Sequence, residues 1–565
     1  MEGQGTSVDD IATDDKKLEE NAAQPSGSDV VLDREETVGP GMEFVDPMTT
    51  LVARPLLRGE ITFSEAKDKD VNILKQLTYV DAREKFFLYL ARNQFQIEAI
   101  VARHLWLSKT ETCSIPRMND WLHGSFNVGI PVTINGWREH PGRRVLIRFP
   151  LPYKIGESFR PGNVDEKLRC EAATYAWVDE NCPDVPIPHL WGFALSDGRT
   201  FAALEHAPLL TQCINYARRC LLKMFGRHVP SQYFPLDNSH KLGVGYLLTD
   251  FIEARDGVML SETWEEQRHN KSRRANLFKD LSRIILSLGR TPLPRLGSFT
   301  VNDRGILSLT NRPLTMELHR MENEGIPIDI PRDVTYSTTE LYIRDLLHCY
   351  RTRLTHQPNA IHDENDGLFQ IAGMTVMEMV LPHFFDRRLR YGPFALTLTD
   401  LHHSNIFVDE NWRIKWVVDL EWACARSKEM QHPPSWLTTQ HVDDIVVDDY
   451  DPVRQEFMDA FQAEETRVHP TDKGNNTSRW TDVMRKGWEN GNFWYCLALD
   501  SPTALPCLLY RHIKPIFQNN GNESGFQSNV SRYWMPKVQT FIAAKVEEKS
   551  AYEAQLRGAF EFAGP

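Results

Sequence analysis

The residues best suited to chemistry fall in one short stretch, Leu396 to Trp422 (LTLTDLHHSNIFVDENWRIKWVVDLEW), which carries Asp400, Asn405, Asp419 and Glu421. Two apolar, β-branched runs, Ile406 to Val408 and Ile414 to Val418, flank the polar turn Asp409-Glu410-Asn411-Trp412 and predict a hairpin. That hairpin folds Asp419 back beside Asn405 and leaves Asp400 on the loop entering its first strand. A loop Asp, an Asn five residues later and an Asp further on is the order used for phosphoryl transfer. There the first faces the attacking hydroxyl and the other two hold Mg²⁺. Such chemistry needs positioning and charge neutralisation more than covalent help. Mg²⁺ prefers hard oxygen ligands and takes one or two carboxylates beside phosphate oxygens and water. Asn405 and Asp419 suit that task, and Glu421 could lend a further oxygen. The plain alternative is an ordinary hairpin whose Asp and Asn side chains cap turns.

The stretch resembles the catalytic-loop motif of the aminoglycoside phosphotransferase and choline kinase-like family, H-G-D-x-x-x-x-N followed by I-D-W/F-E. Asp400, Asn405, Asp419 and Glu421 match it, whereas Leu398-Thr399 stand for His-Gly and Leu420 for the aromatic residue. The wording DLHHSNIFVD and then VVDLEWA is similar to a group of fungal proteins carrying that domain. The resemblance implies that Asp400 is the catalytic base and that Asn405 and Asp419 are metal ligands. It covers roughly residues 120 to 435.

Elements upstream must bring a nucleotide to this loop. Gly124-Ser125-Phe126-Asn127-Val128-Gly129 lies where a kinase-like fold keeps its phosphate-covering turn, and Ser125 and Asn127 could donate to phosphates. Two glycines in six residues also describe a plain β-turn. VLIRFP, ending at Pro150, predicts a buried strand that presents Arg148 where kinases present a phosphate-gripping Lys. The fungal proteins it resembles also place Arg here, and an Arg fork sets different distances from a Lys ammonium. The helical run DEKLRCEAATYAWVDEN offers Glu171 as its partner, with Glu166 one and a half turns earlier. A surface Arg on an edge strand is the alternative. Gly245 to Glu253 predicts the last small-lobe strand and the hinge, where Thr249 and Phe251 are the candidates to meet the nucleotide base.

Before these strands, Asp81 with Glu84 predicts the N-cap of one long amphipathic helix through Phe86, Leu90, Ile97, Ile100, Val101 and His104. Residues 209 to 240 form an insertion of mixed helix and loop. Helices are predicted at 262 to 290, Thr338 to His356 and Gly373 to Asp386, and beyond Trp422 to the end. There Trp480, Trp488, Trp494 and Tyr495 are either core or a cage for a cationic acceptor.

The 41% hydrophobic content of the 565 residues supports a large core, and no run of 18 apolar residues is present to span a membrane. Nine scattered Cys without C-x-x-C spacing exclude a zinc or disulfide framework and fit reduced thiols in the cytoplasm. The first 45 residues hold 12 acidic and 3 basic side chains, a balance of −9 within a total of −13. No basic footprint for nucleic acid exists.

The fold class expected is therefore α+β and bilobal, protein kinase-like, with a small β-rich N-lobe, a larger mostly helical C-lobe and helical extensions. The expected order is a disordered acidic tail (1–45) able to bind a protein, a helical extension (46–115), the N-lobe (116–253), the C-lobe with its catalytic loop (254–434) and a C-terminal helical part (435–565). The expected function is ATP- or GTP- and Mg²⁺-dependent phosphorylation of a hydroxyl on a small-molecule acceptor, with no nucleic-acid or membrane partner. A pseudoenzyme or nucleotide-binding interaction protein of the same fold is the alternative, and a protein kinase is disfavoured because no D-F-G and A-P-E pair brackets an activation segment in this chain.

Overall fold

The computed structural model describes residues 51–227, 229–236, 242–468, 479–517 and 525–561; the tail expected at 1–45 lies outside them. Among the described residues an antiparallel sheet of eight strands forms the small lobe. Its order is Thr112–Ser114, Asn127–Asn135, Arg144–Pro150, Tyr246–Asp250, Leu190–Ala194, Thr200–Ala203 and Tyr233–Leu236, with Leu122–His123 paired onto Asn127–Asn135. Alternation along Arg144–Pro150 decides what each face does. Val145, Ile147 and Phe149 are buried on the outer face, while Arg144, Leu146 and Arg148 are half-buried on the other.

The outer face is covered by two helices, Tyr79–Arg92 and Gln94–His104, whose Phe87, Leu90, Ile97, Ile100 and Val101 join the sheet residues in one core. Two readings of this region are corrected. The predicted single helix is broken at Asn93, and Thr78 rather than Asp81 precedes its first turn. The run starts earlier because Tyr79 is itself buried and its hydroxyl accepts from Asn323 Nδ2 at 2.6 Å. Residues before it belong elsewhere: Ile61, Ala66 and Ile73 pack with Tyr552, Leu556 and Phe560 of the long helix Val538–Phe560.

The inner face receives the helix Asn163–Asn181, buried along most of its length. Below it the larger lobe is mainly helical, with Lys271–Leu288, Thr339–His356, Glu364–Phe384 and Val447–Val468 around one continuous core. Two small antiparallel pairs carry the loop of interest: Phe394–Leu398 with Ala423–Ser427, and Ile406–Val408 with Ile414–Val417. The architecture is the bilobal, kinase-like α+β fold. Trp494 and Tyr495 are buried, and Trp488 packs on Tyr450, Phe493 and Trp494, so this aromatic cluster is core.

Candidate active site

The hairpin forms with Ile406 opposite Val417, and the Val418 N–H donates to the Asn405 carbonyl at 2.9 Å. This brings the Asp419 backbone beside Asn405. Asp419 then takes a left-handed conformation, φ 62°, a region that Asp tolerates better than most residues and that turns its carboxylate into the cleft. Asp400 follows the strand Phe394–Leu398, and the Asn405 side-chain amide donates both to its carboxylate at 3.0 Å and to its carbonyl at 2.9 Å. The loop lacks the His-Gly of the motif it resembles but is tied in another way. Thr399 Oγ1 donates to the Trp422 carbonyl at 2.6 Å, and Trp436 Nε1 to the Leu401 carbonyl at 2.9 Å.

Arg148 reaches this point from the inner face of the sheet. Its Nη1 donates to Glu171 at 2.6 Å, its Nη2 contacts Asp419, and Glu421 lies 3.6 Å away. Glu166, the other helical candidate, faces away and is gripped instead by Arg312. Asn127 points inward, where its amide donates to Glu421 at 2.8 Å and its oxygen accepts from Lys167 at 2.8 Å. Its neighbour Phe126 is buried edge-on against Trp422, 5.4 Å between centroids. Ser125 is left exposed at the tip of the turn, apart from the charged cluster. Thr249 is buried in its strand, opposite Leu146 and Leu190. The Phe251 N–H donates to the Arg144 carbonyl at 3.3 Å, and the Arg144 guanidinium lies 4.1 Å over its ring. The hinge thus closes on itself through Phe251. A cavity of about 320 Å³ opens beside it, lined by Trp137, Arg144, Trp191, Asp250, Phe251 and Trp416 among others, and separate from the charged cluster.

Lys167 is the residue that sequence reasoning missed. It is fully buried, contacts Glu421 and lies 3.9 Å from Glu171, four residues along the same helix. The signal was available: positions i and i+4 share a helix face, so a helix presenting Glu171 to the cleft must present Lys167 there too.

The site holds more negative than positive charge. Three carboxylates (Glu171, Asp419 and Glu421) meet two cations, Arg148 and Lys167, and Asp400 stands close enough to Asp419 to feel its charge. Burial first, and then the charge of Asp419, push the Asp400 carboxyl up to about 7; the Asn405 hydrogen bond and Arg320 act weakly in the other direction. Glu421 is likewise pushed upward by burial and by Asp419, against the pull of Lys167. Glu171 Oε2 and Glu421 Oε1 are buried oxygens with no hydrogen-bond partner. One carboxylate oxygen each from Glu171, Asp419 and Glu421 lies within 4.8 Å of the others. Orphaned hard oxygens with surplus negative charge fit a divalent cation such as Mg²⁺.

No family model matches the chain, and no curated protein matches it by sequence. Among solved structures it is similar to a macrolide 2'-phosphotransferase type I, with 12% identity over 74% of this chain and 97% of that one, at a TM-score of 0.32. At that score the likeness carries no argument, and the fold rests on the geometry above.

Proposed function

We propose that this chain transfers the terminal phosphoryl group of ATP or GTP to a hydroxyl of a small molecule, with Mg²⁺. The observation that carries the reading is the meeting of the Asp400–Asn405 pair with Asp419, Glu421, Glu171 and Arg148 in the interlobe cleft. Glu171, Asp419 and Glu421 would hold the metal, with Asn405 beside them, and a bound Mg²⁺ neutralises charge on the phosphates. Arg148, steadied by Glu171, is placed to grip phosphate oxygens. Asp400 accepts the acceptor's proton. A protein kinase is disfavoured because the chain has neither the D-F-G nor the A-P-E signature that brackets an activation segment.

The contact of Arg148 with Asp419 favours a second reading, in which an internal cation replaces the metal and nucleotide binds without turnover. The two separate on metal dependence. Nucleotide at about one hundred times its Kd stabilises a protein by about 2.7 kcal/mol through mass action. A thermal shift of that order is expected with Mg²⁺, a much smaller one with EDTA, and no difference between the buffers for Asp419→Ala. Equal shifts in both buffers for the parent chain would remove the metal site. Phosphate transfer from labelled nucleotide to a panel of hydroxyl metabolites then tests turnover.

Arg148 gives a sharper test of the phosphate grip. Arg148→Ala should weaken nucleotide binding, and Arg148→Lys should recover only part of it, because the bidentate fork is lost. Calorimetric titration showing unchanged affinity in Arg148→Ala would move the grip elsewhere.

A further inference from the structure

The insertion hanging from the edge strand Tyr233–Leu236 contains a helix, Leu209–Met224, with no buried residue. Projected at about 100° per residue, its apolar side chains occupy one half of the helix and its polar ones the other, apart from Leu222, which sits half-buried among the polar residues. The orientation is inverted. Thr211, Gln212, Asn215 and Arg219 are half-buried on the protein side, and Gln212 Nε2 donates to the Glu205 and Ala207 carbonyls at 2.7 and 2.8 Å. The apolar half faces outward: Leu209 is 78% exposed, Leu210 73%, Ile214 59%, Leu221 54% and Met224 80%, and Phe225 continues the face at 75%. An apolar stripe of this length directed at water marks an interaction surface.

Charge identifies what covers it. Residues 207 to 236 contain four cations (Arg218, Arg219, Lys223 and Arg227) and no Asp or Glu, in a chain whose net charge is −13. On the projection Arg218 and Lys223 sit at the two borders of the apolar half, and both are exposed. Side chains there can keep their charged ends among headgroups while the helix face is immersed. In a two-fold pairing with a second copy, the helix would meet its own cations with no acidic residue of its own to answer them. We infer that Leu209–Met224 lies in the surface of an anionic lipid bilayer, anchoring the edge of the small-lobe sheet to the membrane. This inference is independent of the cleft chemistry. It revises the expectation of no membrane partner, which rested on the lack of a spanning run. No helix among the described residues is long and apolar enough to cross a membrane, but an interfacial helix needs only one apolar face.

The test is co-sedimentation of the full chain with phosphatidylcholine vesicles, with and without phosphatidylserine. The parent chain should bind the phosphatidylserine vesicles and be released by salt. The triple variant Leu210→Glu, Ile214→Glu, Leu221→Glu should lose binding by roughly tenfold or more, with circular dichroism and melting little changed because these side chains are more than half exposed. The pair Arg218→Glu, Lys223→Glu should lose the preference for phosphatidylserine. Absence of vesicle binding by the parent chain, or equal binding by the triple variant, overturns the inference. A dimer in gel filtration that the triple variant dissolves, with no vesicle binding, would assign the face to a second copy instead.

Discussion

Asp400→Asn is expected to lower turnover by roughly 10²–10⁴, the span that general acid–base help usually provides. The substitution keeps the size of the side chain and leaves an oxygen to accept from Asn405, but removes the basic group. Nucleotide affinity should barely change, because Arg148, Glu171 and Asp419 remain in place. The wild-type rate should rise with pH along a limb at or below about 7, where burial and Asp419 hold the Asp400 carboxyl. A cation bound at Asp419 moves that limb lower by cancelling part of the like charge. The Asn variant should lack the limb. If Asp400 merely caps a turn, the same substitution reduces stability and leaves the rate per folded molecule intact. Measuring both quantities on one variant decides between these outcomes.

The largest expected loss of stability is at Arg312. It is fully buried between Glu166 and Glu322, donating to each through two nitrogens at 2.8 to 3.1 Å. Arg332 adds a bond to Glu166 at 2.9 Å, and Asn163 one to Glu322 at 2.7 Å. This network ties the helix bearing Lys167 and Glu171 to the segment 311–332 of the larger lobe. Arg312→Ala takes the central cation from two buried carboxylates, leaving only Arg332 on Glu166 and Arg160 on Glu322, and should cost about 3–5 kcal/mol. The denaturation midpoint should fall with little change in slope. Adding Glu166→Leu and Glu322→Leu should recover part of the loss, because the under-compensated buried charge goes with them. No recovery would show that Arg312 stabilises by packing rather than by charge.

The same network has a pH signature. Burial pushes Glu166 upward, but Arg312 outweighs it and holds the carboxyl at about 2, below its usual 4.5. A group depressed on folding contributes stability above its unfolded value and loses it as pH falls toward the folded one. Acid should therefore weaken the parent chain between about 4.5 and 2 more steeply than the Arg312→Ala variant.

What the sequence by itself determined is local. Two β-branched runs around Asp409 to Trp412 specify the hairpin, because strand pairing and a polar turn depend on neighbours a few residues apart. That hairpin sets Asn405 and Asp419 side by side whatever the rest of the chain does. The apolar alternation of Arg144–Pro150 likewise turns Arg148 away from the outer core. The tertiary structure alone decided which partner each charged group meets. Glu166 and Glu171 are five residues apart and so point about 140° apart around their helix. Nothing in their spacing says which of them faces Arg148, 23 residues upstream of Glu171, and which faces Arg312. Asn127 offered itself as a phosphate donor from its turn, yet its strand register carries it to Lys167 and Glu421. The apolar periodicity of Leu209–Met224 shows that two faces exist, but only the packed sheet edge reveals that the polar face is the inner one. A helix records its own asymmetry in its sequence, whereas the surface it rests on is supplied by residues far away along the chain.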